Sequence, residues 1–292
     1  MSYFPFISYS RTSLIRIICI QLIILLFVSS GNVHASPWMQ SEGDIVGATG
    51  VSYSEADSFW KRDGRLVRYS DKHLDATYYL YAEYGYSYYY NLIASTGWNY
   101  RDDGTRTNSS VDDIKIGVKG RLNRYRNGRT WQVTAILPTR RGDLLGSRPG
   151  GGKSGIDAGI YYRLLPDPYD RPFSIHNQGI WGGGLGITLR SCGVGNELWA
   201  YGKWEKMVFN PSWQVELRLS ALSSFAGRES GSVDIYGPND SYHYHEISSE
   251  FSIKYKLNRT LSLNAGYSRD LAGRNINRND EVQIGISTSW KK

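Results

Sequence analysis

The sequence predicts an all-β fold, a transmembrane antiparallel up-and-down β-barrel of about twelve strands. Three observations lead to this prediction: an export signal at the N-terminus, period-two alternation along most of the remaining chain, and connections that alternate between short and long. The chain has 292 residues, which is long enough for two soluble domains. No polar or Pro-rich linker interrupts it after Met39, so we expect a single barrel domain.

The N-terminal segment has the features of a secretory signal peptide. Arg11 and Arg16 precede an apolar run from Ile17 to Val28, and Val33-His34-Ala35 resembles an A-x-A cleavage site. The run has about a dozen residues, whereas a membrane-spanning helix needs roughly 20. We therefore predict a cleaved signal over residues 1–35 and a mature barrel over residues 36–292.

Alternation of apolar and polar residues predicts the strands. In the segment from 213 to 221, Trp213, Val215 and Leu217 alternate with Gln214 and Glu216, which places the two sets on opposite faces of a strand. The seventh and eighth strands have the weakest pattern, because the sequence WGGGLG at 181–186 is glycine-rich. The same rule along the chain predicts twelve strands, at about 43–53, 74–85, 89–100, 111–124, 129–138, 154–165, 173–189, 196–205, 211–226, 243–257, 261–270 and 281–290.

The lengths of the connections favour a membrane barrel over a soluble β-sandwich, which would also alternate. The even-numbered connections are short, at 86–88, 125–128, 166–172, 206–210 and 258–260. The odd-numbered ones are longer, at 54–73, 101–110, 139–153, 227–242 and 271–280; only the seventh, near 191–195, breaks the pattern. Outer-membrane barrels have short periplasmic turns and long extracellular loops. Lipid offers no hydrogen-bond partners to the backbone N–H and C=O groups of an open sheet edge, so we expect the sheet to close into a barrel.

The two faces of the predicted strands differ in chemistry. Aromatic residues near the strand ends of the apolar face are candidates for the girdles at the lipid headgroups: Trp98, Tyr100, Trp131, Trp213, Tyr267 and Trp290. The opposite face is charged and would line the lumen. Its candidates are Lys115, Lys119, Arg121, Glu216, Arg218, Lys254 and Lys256.

Composition excludes other classes of protein. After the signal, no apolar stretch is long enough for a helical membrane protein. The whole chain has 34 Lys+Arg against 27 Asp+Glu, and loss of the signal leaves a charge of about +5. The positive charge is scattered, and an exported protein would not meet nucleic acid, so we expect no nucleic-acid partner. No residue pattern indicates a cofactor.

Three stretches resemble bacterial outer-membrane β-barrel proteins. The C-terminal EVQIGISTSW, ending at Trp290, looks like the aromatic-ended last strand that the barrel assembly machinery recognises, although Lys291 and Lys292 follow it. LDATYYLYAEYGYSYYYNLIASTGW (74–98) and FSIKYKLNRTLSLNAGYSRDLAGRN (251–275) look like the strand-turn-strand units of porin-like families, including proteins labelled XagA-like. The resemblance implies a location in the outer membrane and contact with its lipid. It implies no catalytic residues.

The predicted function is a non-enzymatic, porin-like channel or transporter for small solutes. The Lys and Arg residues on the inward face favour anionic solutes. The lumen is either an open or gated conduit, or a filled barrel in which opposite charges lock together. The alternative function is adhesion, with the barrel as an anchor, because the external loop at 139–153 contains Arg141-Gly142-Asp143.

Other motifs are weak candidates for chemistry. The pairs Ser241–His243 and Ser174–His176 could start a hydrolase site but lack an orienting group. His243 and His245 share a face without a carboxylate or thiol, so no metal site is expected. GSRPGGGKS at 146–154 has the wrong spacing for a phosphate-binding loop.

The signal prediction is tested by the substitution Ala35→Arg. Signal peptidase requires a small residue before the cut, so the variant should accumulate as a precursor heavier by the length of the signal. N-terminal sequencing of the wild-type mature protein should begin at Ser36-Pro37-Trp38. A mature protein that retains residues 1–35 would contradict the prediction, and Gln40→Arg, beyond the cut, serves as the control.

Overall fold

The computed structural model describes residues 39–102, 104, 107–122, 128–139, 154–164, 179–191, 196–225 and 244–291. No helix in these segments is long and apolar enough to cross a membrane. The strands in the described part are β1 (Ile45–Trp60), β2 (Leu66–Gly85), β3 (Tyr90–Asp102), β4 (Thr107–Val111), β5 (Ile114–Arg121), β6 (Thr130–Leu137), β7 (Gly155–Leu164), β8 (Ile180–Arg190), β9 (Asn196–Val208), β10 (Trp213–Phe225), β11 (His245–Lys256), β12 (Leu261–Arg274) and β13 (Ile276–Trp290).

The strands close into one antiparallel barrel. Chain neighbours pair with each other from β5 to β13, and β3 pairs with β2 on one side and with both β4 and β5 on the other. The barrel closes where β1 pairs with β13, in a ladder that runs from Ile45 opposite Trp290 to Trp60 opposite Ile276. With the β2–β3 pairing the sheet forms a complete ring; only the short β4 is paired on one side alone, with β3. A lipid environment requires such a ring, because it cannot satisfy the hydrogen-bonding groups of an open sheet edge. The prediction of a closed antiparallel barrel is confirmed.

The fourth pass across the barrel is broken into β4 and β5 by Asp112 and Asp113. Trp98 pairs with Val111 and Ser95 with Lys115, so three residues oppose two and form a bulge. The backbone N–H of Asp112 still donates to Gly97 O, at 2.8 Å. Counting β4 and β5 as one pass, the described barrel has the twelve passes that the sequence predicts.

Three of the predicted long loops are wrong. One of them, at 101–110, is mostly paired strand, at the ends of β3 and β4. Residues 54–73 form the ends of β1 and β2 with a short turn between them, and residues 271–280 form the ends of β12 and β13, which meet at Asn275 with φ 50°. Alternation vanishes there because a hairpin beyond the membrane has water on both faces, so polar residues suit both. Backbone pairing continues without that pattern, as in Glu55 opposite Asp280.

Strand boundaries elsewhere differ from the predicted ones mainly at the seventh strand. The strand begins at Ile180 rather than at residue 173, and the connection before it starts after Leu164. Residues 165–178, including the predicted turn at 166–172, lie outside the described residues. The predicted loops at 139–153 and 227–242 lie almost entirely outside them as well. We call the end of the barrel with these long connections the outer end and the opposite one the inner end.

The distribution of polar and apolar side chains is the reverse of that in a soluble protein. Large apolar side chains on the strands, such as Leu185 and Ile284, point away from the lumen and are about 60% and 63% exposed. The buried set instead contains Lys119, Asn91 and Glu83, at 0%, 0% and 3% exposed. An apolar exterior around a polar interior is the arrangement expected of a barrel surrounded by lipid.

A charged residue on the outward face should therefore cost stability according to its depth. Ile284→Arg should lower the free energy of unfolding by about 2–4 kcal/mol, the cost of Arg near the bilayer midplane. Leu66→Arg, at the tip of the β1–β2 hairpin, should cost less than about 1 kcal/mol. The measurement is reversible urea unfolding in phospholipid vesicles. Equal costs would contradict the placement of this hairpin beyond the membrane.

Candidate functional site: a cavity in the barrel lumen

The lumen contains a cavity of about 700 Å³ in its outer half. Every pass of the barrel contributes to its wall, from Ser52 and Ser54 on β1 to Asn279 and Glu281 on β13. The walls are the inward-facing residues of paired strands, which the register holds at fixed heights. The cavity therefore forms only when the barrel closes, and no single segment of the chain forms it alone.

The wall of the cavity is predominantly acidic. Its basic side chains in the described part are Arg101, Lys115, Arg190 and Arg218. Its acidic side chains there are twice as many: Asp75, Asp112, Asp113, Asp157, Glu246, Glu250, Asp270 and Glu281.

One side of the cavity is an aromatic wall made of Tyr161, Trp199 and Tyr201. The ring centroids of Tyr161 and Trp199 are 5.6 Å apart, and those of Trp199 and Tyr201 are 6.4 Å apart, both in stacked arrangements. Trp199 Nε1 donates a hydrogen bond to Asp157 at 3.0 Å. Such a bond fixes the plane of the indole ring.

Glycines on the neighbouring strands make room for this wall. A Cβ atom on Gly184 would lie 2.7 Å from the ring of Tyr161 and 2.9 Å from that of Tyr201. A Cβ on Gly159 would lie 2.5 Å from the ring of Trp199. The glycine-rich sequence at 181–186 thus serves packing: its inward members are small because their cross-strand neighbours are large.

Paired charges line two sides of the inner half of the lumen. On one side Lys119 Nζ lies 2.9 and 3.2 Å from the two carboxylate oxygens of Glu83. Glu83 also accepts hydrogen bonds from Asn91 Nδ2 at 2.5 Å and Tyr81 Oη at 2.6 Å. A buried ion pair with this many hydrogen bonds is held firmly, because each partner would be costly to leave alone.

A second ionic network lies across the lumen from the first. Glu205 contacts Arg163 Nη2 at 3.0 Å and Gln214 Nε2 at 3.2 Å, and it also pairs with Lys203. Lys203 in turn lies 3.1 Å from Glu216. We call these residues together with Glu83 and Lys119 the inner ionic layer. None of the seven borders the cavity, so the cavity ends above this layer.

Ion pairs also brace the outer half of the barrel. Arg101 binds Asp75 through two hydrogen bonds, at 2.6 and 3.1 Å. Arg190 lies 3.7 Å from Asp113 and 3.8 Å from Glu197. Asp113 lies at the bulge between β4 and β5 and borders the cavity, as Lys115 does two residues later.

The structure places the predicted lumen candidates at three levels. Lys115 and Arg218 border the cavity. Lys119 and Glu216 belong to the inner ionic layer, and Arg121 lies over the ring of Tyr88 at 4.3 Å, near the inner end.

The last two lumen candidates, Lys254 and Lys256, lie on β11 near the inner end, opposite Asn264 and Ser262 of β12. Most of the predicted cations are therefore outside the cavity, whose own wall is acidic. The excess of cations that suggested anionic solutes does not line this cavity.

The predicted girdle candidates lie toward the two ends of the outward face. At the inner end, Trp131 packs edge-on against Tyr90 at 6.2 Å, Trp213 packs against Tyr255 at 4.5 Å, and Trp290 covers Gly47. These contacts keep the indoles on the barrel wall, where an interfacial aromatic residue would sit.

The other girdle candidates lie nearer the outer end. Trp98 is 46% and Tyr267 42% exposed, while Tyr100 is exposed and also borders the cavity. Tyr267 pairs with Val282, eight residues before Trp290. At the usual rise and tilt of barrel strands the two aromatic levels are roughly 20 Å apart, close to the height of an apolar band.

Sequence reasoning missed the residues of β9 that shape the lumen. Glu197, Trp199, Tyr201, Lys203 and Glu205 face inward, while the alternate positions hold Leu198, Ala200, Gly202 and Trp204. Both faces carry aromatic residues, so hydropathy does not distinguish them. The signal that could have identified the inward face is that Glu197, Lys203 and Glu205 are an even number of positions apart and so share one face of the strand.

Several weaker candidates lie outside the described residues: Arg141-Gly142-Asp143, the segment 146–153, Ser241 with His243, and Ser174 with His176. Of the predicted histidines, His245 is described, and its Nδ1 lies 2.9 Å from Ser223 Oγ. The described residues contain no group of three side chains that could hold a metal ion.

The barrel resembles known outer-membrane proteins in fold. The COG4313 outer membrane channel from Pseudomonas putida F1 superposes with a TM-score of 0.66 at 13% identity, over 89% of this chain and 100% of that one. The fold is that of an outer-membrane β-barrel. The translocator domain of the autotransporter NalP from Neisseria meningitidis (TM-score 0.49, 13% identity, 95% and 97% covered) and the NanC porin (0.47, 10%, 82% and 98%) are more distant.

No family model matches the chain. No curated protein matches it in sequence either. The superposition confirms that the fold is that of outer-membrane barrels as a class. Membership of the XagA-like type stays a prediction.

The fit between glycines and the aromatic wall is tested by Gly184→Ala. Its Cβ would press on the rings of Tyr161 and Tyr201, so we expect the free energy of unfolding to fall by about 1–3 kcal/mol, as for overpacked cores. Gly202→Ala is the matched control, because a Cβ there meets nothing within 4 Å. Urea unfolding followed by tryptophan fluorescence measures both. Equal stabilities would contradict the packing described above.

The Glu83–Lys119 pair is tested by Lys119→Met. Removal of the cation leaves a buried, uncompensated carboxylate, and we expect a loss of about 3–5 kcal/mol. The double substitution Lys119→Met/Glu83→Gln should recover most of it, because no net charge remains buried. A double-mutant cycle from the same unfolding assay gives the coupling. A loss that the second substitution does not relieve would indicate damage unrelated to the pair.

Proposed function

We propose that the mature protein is a porin-like channel of the outer membrane that passes small solutes, and that the inner ionic layer is its closed gate. The observation that carries the proposal is a polar cavity, bordered by every pass of the barrel, that ends on paired charges. A barrel that served only as an anchor would need no such cavity. The similarity in fold to an outer membrane channel supports the proposal.

The chemistry of the layer suits a gate better than a permanent plug. Its contacts are made by long side chains, Lys203, Arg163 and Glu216 among them, which can rotate and remain solvated when they part. Paired charges balance each other when closed, so the closed state is stable. Opening then requires rearrangement of side chains and no movement of the strands.

We also propose that the protein is not an enzyme. Ser223 and His245 are in hydrogen-bond contact, but among the described residues no carboxylate is hydrogen-bonded to His245. A serine nucleophile needs a base that a third group orients. Lipid of the outer membrane and the barrel assembly machinery are the proposed partners besides the solute, and residues 1–35 are the proposed export signal.

The test is the conductance of the refolded mature protein in planar bilayers. We expect Lys203→Ser/Glu205→Ser to raise the mean single-channel conductance at least about twofold, because it shortens both side chains of the gate and removes no net charge. The matched control is Arg65→Ser/Asp63→Ser, which removes an ion pair on the exposed tip of the β1–β2 hairpin. No conductance in either protein at any voltage would contradict the proposal and favour a filled barrel.

A further inference from the structure

The two halves of the lumen carry opposite charge. Among the described residues that line the cavity, the acidic ones are twice as many as the basic ones. In the inner ionic layer the named acids and bases balance, and Arg121, Lys254 and Lys256 near the inner end add only positive charge. A pore with low-dielectric walls strengthens such fields, so the outer cavity attracts cations and the inner end repels them.

Three acids of the cavity, Asp112, Asp157 and Glu246, form no salt bridge with any Lys, Arg or His of the described residues. Among the described residues, the hydrogen-bond donors to Asp157 are neutral: Trp199 Nε1 at 3.0 Å and Thr188 Oγ1 at 3.4 Å. These three acids stand on different walls, on β7, on β11 and at the bulge between β4 and β5, so their fields converge on the space between them.

The aromatic wall adds a second means of binding a cation. The guanidinium of Arg218 already lies 4.2 Å from the ring centre of Tyr201, a cation–π contact made by the protein itself. Trp199 and Tyr161 continue the same wall, and both border the cavity. Rings beside carboxylates are the combination that holds ammonium and guanidinium groups in proteins.

We propose that this cavity binds small organic cations carrying primary ammonium or guanidinium groups, which enter from the outer end. The cavity volume, about 700 Å³, is within the range of small-molecule sites. The substrate class deepens the proposed channel function and rests on it. It reverses the preference for anions that the Lys and Arg content of the sequence suggests.

The experiment compares two probes of equal chain length and opposite charge, putrescine and succinate, on the refolded mature protein in detergent. Tryptophan fluorescence reports binding, because Trp199 is part of the wall. We expect a saturable change with putrescine and none with succinate at the same concentration. Raising the salt from about 0.1 M to 1 M should weaken the putrescine response, since the Debye length falls from about 10 Å to 3 Å.

Variants in which neutral amides replace the carboxylates locate the site. Asp112→Asn/Asp157→Asn/Glu246→Gln should weaken putrescine binding at least about fivefold, because it removes three attractive charges and keeps the shapes of the side chains. The matched control Glu55→Gln/Asp63→Asn removes acids from the same end of the barrel but outside the cavity and should bind as the wild type does. Reversible urea unfolding checks that both variants are folded.

The outcomes separate the two proposals. Saturable binding of putrescine without conductance supports the cation site and contradicts the channel. Conductance without putrescine binding, equal binding of succinate, or unchanged binding by the triple variant contradicts the cation site and leaves the channel standing.

Discussion

The pairing of β1 with β13 is the constraint on which the rest of the structure depends. In lipid, an unpaired strand edge would expose peptide groups that nothing can satisfy. The ladder from Ile45 opposite Trp290 to Trp60 opposite Ile276 removes that edge. Closure also sets which side chains meet across the lumen, so the cavity and the inner ionic layer both follow from it.

A closed barrel must then solve a second problem, how to fill its interior. This protein uses two solutions at two heights. In the inner half, paired charges line the lumen: Lys119 and Glu83 on one side and the network around Glu205 on the other. In the outer half a cavity remains, because glycines such as Gly184 are paired with large rings that stand along one wall. The result is a polar cavity in the outer half that ends on paired charges in the inner half, and the proposed gate rests on this arrangement.

Most of the fold could be predicted from the sequence, because lipid requires the outward-facing side chains to be apolar. Along β10, Trp213, Val215 and Leu217 face outward and alternate with polar residues. The strand, its outward face and its approximate boundaries can therefore be predicted from the sequence. The rule fails beyond the membrane: the hairpin at 54–73 was predicted as a loop, since water on both faces removes the pattern. It fails again at β8, where glycines carry no hydropathy signal.

The candidate site was less predictable than the fold. Alternation, together with the export signal and the connection lengths, predicted a barrel of twelve passes. It also placed Lys119 and Arg218 inside the barrel, because the side-chain period of a strand depends only on local geometry. Pairing partners, in contrast, are set by register around the closed sheet. Only the tertiary structure could show that Lys119 meets Glu83, that Trp199 stacks on Tyr161, and that the cavity wall is acidic although the chain as a whole is basic.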